Sequence, residues 1–110
     1  MATDPATVQF ILEQAAGAGP VSSRKMFGEY ALYLDARVVA LICDGQLFLK
    51  PTPGARALFP EAAEGPPYPG AKPLLLGDAL LDEPDRLAAT LRAIAADVTE
   101  PKPKRPKAKP

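Results

Sequence analysis

The stretch RKMFGEYALYLDARVVALICDGQLFLK, Arg24 to Lys50, decides how this chain is read. Asp44-Gly45 divides it where a two-residue hairpin turn needs positive φ at both central positions, a conformation that Asp and Gly accept. Asp35-Ala36 divides it again, less comfortably, because alanine resists positive φ. The reading is a three-stranded antiparallel meander over residues 25–51. If both turns are two-residue loops, Tyr30 lies opposite Leu41 and Leu41 opposite Phe48, with Leu32 and Val39 on the same face. Ala31, Tyr33, Val38, Ala40, Ile42, Leu47 and Leu49 fall on the other. A slip of one residue would exchange the faces. Ala31 and Ala40 leave room for a helix, so their face is the expected core. The face of Tyr30, Leu32, Val39, Leu41 and Phe48 is then oily too, and needs another cover.

Working outward, Asp4 is a suitable N-cap and Pro5 a suitable first helical residue. Val8, Ile11, Leu12, Ala15 and Ala16 recur at helical spacing, and Gly17, Gly19 and Pro20 end the helix. After the meander, TPGARALFP (52–60) reads as a short helix started by Thr52-Pro53 and stopped by Pro60. Residues 60–73 carry five prolines and two glycines and read as a loop. Leu74–Leu76 is a short apolar run suited to one more strand. Asp82 is the expected cap of a last helix, whose inner face holds Leu87, Leu91, Ile94, Ala95 and Val98, with Asp85 placed to suit the helix dipole. The order is α-β-β-β-α-β-α, an α+β domain with helices layered on an antiparallel sheet.

At 110 residues the chain suits one domain. Its net charge of zero conceals a division: residues 1–99 hold 8 Lys/Arg against 12 Asp/Glu, and residues 100–110 hold 5 against 1. Residues 1–99 are the expected domain, and EPKPKRPKAKP (100–110) the expected disordered tail, since it has no apolar periodicity. One cysteine cannot form an internal disulfide, which suits a reducing cytoplasm. No signal-peptide pattern and no bilayer-length apolar run is visible, so the expected location is cytoplasmic, with no membrane contact.

The chain has no histidine and one cysteine. That removes Ser-His and Cys-His nucleophile pairs, imidazole acid–base catalysis and the usual zinc sites. Neither a phosphate-binding loop nor a dinucleotide fingerprint is present. Glu29 stands out on an apolar strand, and pairing with Arg24 or Lys25 is its expected role. Asp35 and Asp44 are read as turn residues, and Cys43 as a small buried hydrophobe. Tyr30, Tyr33 and Phe48 on a sheet invite comparison with single-strand RNA platforms, but the flanking sequence lacks the basic glycine-rich pattern and the body is acidic. No cofactor, metal or small-molecule substrate is expected.

With a helix before it and a proline-broken loop and helix after it, this pattern resembles the N-terminal domain of the TfoX/Sxy competence regulators. The resemblance spans residues 8–97 and rests on RKMFGEYALYL, ALICDGQLFLK, PPYPGAKP and LDEPDRLAATLRA. It implies a two-layer α/β fold like that of secretion chaperones, with helices packed on a curved antiparallel sheet, and no catalytic residues or cofactor. The best-studied members of that family promote transcription of DNA-uptake genes together with the cAMP receptor protein and carry a second, C-terminal domain. Here the Lys/Pro tail follows the last helix, so a single-domain member is expected. Ala36, where a glycine is usual, and the bare PLLLGDALL segment are departures.

Three functional readings follow. The first is a non-enzymatic interaction module, an accessory of transcriptional regulation, whose second oily face is covered by a second copy or another protein through Tyr30, Leu32, Val39, Leu41 and Phe48. The second is a nucleic-acid binder using Lys102, Lys104, Arg105, Lys107 and Lys109 as an electrostatic arm. The third is an enzyme built on Glu29 and Tyr30. A monomer whose last helix covers the second face would need no partner.

Overall fold

The structure, a computed structural model, describes residues 3–26 and 29–98. Six strands form one antiparallel sheet: β1 Val21–Met26, β2 Glu29–Leu34, β3 Arg37–Cys43, β4 Gln46–Leu49, β5 Glu64–Gly65 and β6 Leu74–Leu76, in the order β1-β2-β3-β4-β6-β5. Three helices, α1 Pro5–Ala15, α2 Pro53–Leu58 and α3 Pro84–Asp97, complete the α+β fold. The Lys/Pro tail lies outside the described residues.

Local chemistry explains the helix starts. Asp4 accepts the Ala6 N–H at 2.9 Å and Pro5 opens α1, while Thr52 accepts the Ala55 N–H at 3.1 Å and Pro53 opens α2. Val8, Ile11 and Ala15 are the buried stripe of α1; Leu87, Leu91, Ile94 and Ala95 belong to that of α3. Asp82 does not cap α3. It ends a 3₁₀ turn, Asp78–Asp82, and Glu83 occupies the cap position without a side-chain bond.

Two strands extend the expected meander. β1 is six residues of VSSRKM, too polar to announce itself by alternation, and it becomes a strand by pairing with β2. β5 is two residues inside the proline-rich loop.

The hairpin at Asp44-Gly45 has φ of 52° and 75°, as its turn type demands. At Asp35-Ala36 only Asp35, with φ 56°, takes the left-handed conformation, so Ala36 avoids the strain anticipated for it. Leu41 pairs with Phe48 as expected, but Tyr30 pairs with Ile42 rather than Leu41. The reason is an irregularity between β2 and β3. Near the turn Leu34 pairs with Arg37 and Tyr33 with Val38; beyond it Leu32 pairs with Ala40, so Val39 is an extra residue in β3.

That bulge reassigns the faces. Ser23, Leu32, Ala40, Leu49 and Leu75 form one row across the sheet, and Lys25, Tyr30, Ile42 and Leu47 another. Leu32, Ala40, Ile42, Leu47 and Leu49 are wholly buried with Val8, Ile11, Leu87, Leu91 and Ile94 in one core, which Val39 joins through the bulge. The helices therefore occupy one side of the sheet. Leu32 and Val39, expected on the spare face, are instead beneath the helices, and Tyr30 packs against the same core.

Candidate protein-interaction face

The opposite side of the sheet carries the row Arg24, Ala31, Leu41, Phe48 and Leu76, read across five strands. Ser22, Tyr33 and Val38 form a second row on that side. Of the five residues expected to share an interface, only Leu41 and Phe48 are here. Leu41, Leu76, Tyr33 and Val38 are half-buried. Phe48 lies between its cross-strand partners Leu41 and Leu76 and is only 3% exposed. The result is an apolar centre whose accessible parts are Leu41, Leu76, Val38 and the Tyr33 ring. Arg24 holds its guanidinium 5.7 Å from the centre of that ring, a cation–π contact that leans the charge inward from the sheet edge.

Tyr33 and Val38 were placed on the face expected to be the core, and Leu76 was assigned to neither face. Arg24 was missed because β1 was not recognised. Serine and arginine at alternate positions 22 and 24, opposite Tyr33 and Ala31, are the signal that a second wet-facing strand was present.

Glu29 has a structural role on this side, different from the expected pairing with Arg24 or Lys25. Its Oε1 accepts the Thr3 hydroxyl at 2.6 Å and the Thr3 N–H at 3.2 Å. Its Oε2 accepts the Asp44 N–H at 3.1 Å, and the Gly45 N–H donates to the Thr3 hydroxyl oxygen at 3.1 Å. Burial pushes the Glu29 carboxyl up, but these bonds from Thr3 and Asp44 outweigh it and hold its pKa below the ordinary value. A carboxylate so engaged at both oxygens is poorly placed to move protons.

Cys43, beside this node, is buried, and burial followed by the charges of Glu29 and Asp44 pushes its pKa up. Such a thiol is a poor nucleophile. Among the described residues no group of three or more His, Cys, Asp or Glu side chains is placed to hold a metal. A shallow pocket of about 290 Å³ between Pro20, the β2–β3 turn and α3 is lined by Leu34, Asp35, Arg37 and Arg92; Arg92 spends one donor on the Gly17 carbonyl at 2.9 Å. Among the described residues no helix is long and apolar enough to cross a membrane. Lys102, Lys104, Arg105, Lys107 and Lys109 lie outside the described residues.

These features define a helix-backed antiparallel sheet domain with an apolar outer face. The model of the TfoX N-terminal domain matches residues 13–97, and the chain belongs to that family, which is not a known enzyme family. A protein of Spirochaeta aurantia, described as an uncharacterized 12.7 kDa protein in the trpE 5′ region, is 42% identical over 109 residues, covering 99% of this chain and 95% of that one.

Proposed function

We propose that the chain is a non-enzymatic protein-interaction module acting as a cytoplasmic accessory of transcriptional regulation. The observation that carries this reading is the patch of Leu41, Leu76, Val38 and the Tyr33 ring, apolar and partly accessible on the side of the sheet away from all three helices. An apolar surface of that kind is costly in water and gains free energy when a partner covers it. Membership of the TfoX N-terminal family supports the regulatory setting. The engagement of Glu29 with Thr3 and Asp44 and the raised pKa of Cys43 weigh against an enzyme built on either.

The test is the transcript profile of cells lacking the gene. Deletion should alter a defined set of transcripts, and Leu41→Lys, which charges the outer face without touching the core, should reproduce the deletion. An unchanged profile on deletion would contradict the regulatory role. The nucleic-acid reading rests on the excess of Lys and Arg in residues 100–110. It predicts instead that truncation after Thr99 reproduces the deletion, with loss of a salt-dependent DNA affinity.

A further inference from the structure

We propose that β1 is a dimerisation edge, through which two copies of this chain join their sheets into one. The sheet has two edges. β5 is only Glu64–Gly65 and runs into Pro66 and Pro67, which lack N–H donors, so it offers almost nothing to a further strand. β1 is Val21–Met26, without proline, and among the described residues it has a strand neighbour on one side only.

The hydrogen bonding shows which groups β1 leaves open. The Asp35 N–H donates to the Pro20 carbonyl at 3.0 Å, and the β1–β2 register runs without interruption from Val21↔Leu34 to Met26↔Glu29. In an antiparallel pair the residues aimed at the neighbour alternate with those aimed away. Pro20, Ser22 and Arg24 are thus directed at β2. Val21, Ser23 and Lys25 present their N–H and C=O groups outward.

Two-fold symmetry then selects a register. Outward residues must face outward residues, so the self-paired position is an odd-numbered one or lies at an even-numbered one between two of them. Placing Ser23 opposite the partner copy's Ser23 sets Val21 opposite the partner copy's Lys25 and Ser22 opposite the partner copy's Arg24. Every outward group of the three residues is then paired, and no like charges stand directly opposite. Placing Arg24 opposite itself would bring two guanidinium groups into the closest kind of cross-strand pair. Arg24 is moreover already drawn inward over the Tyr33 ring. Charged edge residues usually deter pairing; here the Ser23-centred register pairs all three outward residues without setting like charges opposite each other. It also sets the outer faces of both copies side by side, doubling the apolar surface.

Sedimentation velocity on the full chain at tens of micromolar should give twice the 11.6 kDa chain mass. Ser23→Pro removes an outward N–H that the chain's own sheet does not use, so it should leave the circular dichroism spectrum folded and weaken dimerisation at least about tenfold. Ser23→Cys should form a covalent dimer under mild oxidation, because a hydrogen-bonded pair sets Cα atoms about 5.5 Å apart, within disulfide reach. Ser22→Cys, opposite the partner copy's Arg24, should not. A wild-type mass of one chain, an undiminished dimer of folded Ser23→Pro, or failure of Ser23→Cys to cross-link would each overturn the proposal. The cross-linking arm decides it even if Ser23→Pro fails to fold.

Discussion

The Thr3 hydroxyl donates a 2.6 Å hydrogen bond to Glu29 Oε1 across 26 positions of sequence. With the Asp44 and Gly45 N–H groups completing the network, it ties the segment before α1 to the start of β2 and to the β3–β4 turn. The Glu29 carboxylate accepts three hydrogen bonds here, from two distant parts of the chain that the Gly45–Thr3 bond also joins. Glu29→Ala should destabilise the fold by about 1–2 kcal/mol, because it leaves the Asp44 N–H and the Thr3 donors without their acceptor. Thr3→Ala should cost less, and the double variant less than the sum, since the two share one network. Urea unfolding of the four proteins checks this.

The same carboxylate sets a pH dependence. Its folded pKa is depressed below 4.5, so the stability it contributes is present above the unfolded value and is lost as pH falls through the folded one. Thermal midpoints should decline as pH drops below about 4.5. In Glu29→Gln that decline should be shallower. An identical slope in both proteins would remove the role assigned to Glu29.

A second junction lies at the far end of α3. The Gly54 N–H donates to Asp97 Oδ2 at 2.7 Å, and a Cβ on Gly54 would stand 2.7 Å from that oxygen and 3.0 Å from the Ala93 Cβ. Gly54→Ala should therefore destabilise by about 1–3 kcal/mol despite alanine's better helix propensity, because α2 must move off α3. A more stable Gly54→Ala protein would show that the helices are not this close.

The division of the sheet faces is open to direct comparison. Leu32→Ala, in the core beneath the helices, should cost about 2–5 kcal/mol. Leu41→Ala, on the outer face, should cost less than half as much. The sequence register alone would put these two leucines on one face and predict equal costs.

Much of this architecture is legible in the sequence, and the reasons it fails elsewhere are local. Asp4-Pro5, Thr52-Pro53 and Asp44-Gly45 mark their turns because each solves a backbone problem on the spot. The Leu41–Phe48 pairing follows from a turn that admits one geometry. The bulge at Val39 is different: nothing in VVALI demands an extra residue, and it arises where the strand must bring both Val39 and Ala40 toward the helices. One extra residue was enough to move Leu32 and Val39 into the core and to bring Tyr33 and Val38 into view on the outer face. β1 escaped notice because an edge strand can be polar, and the tie from Glu29 to Thr3 because it joins distant positions without a charge partner. The family resemblance was legible from the meander and the last helix, and the family match spans both.

The most direct test of the outer face as an interaction surface is cross-linking in cells with a photoreactive residue at position 41, compared with one at Gln9, an exposed position of α1 in the helix layer. Position 41 should yield a covalent adduct with a second protein, and position 9 should remain a single chain. A protein that stays a single chain when probed at position 41, under conditions where its regulatory effect is intact, would contradict the account.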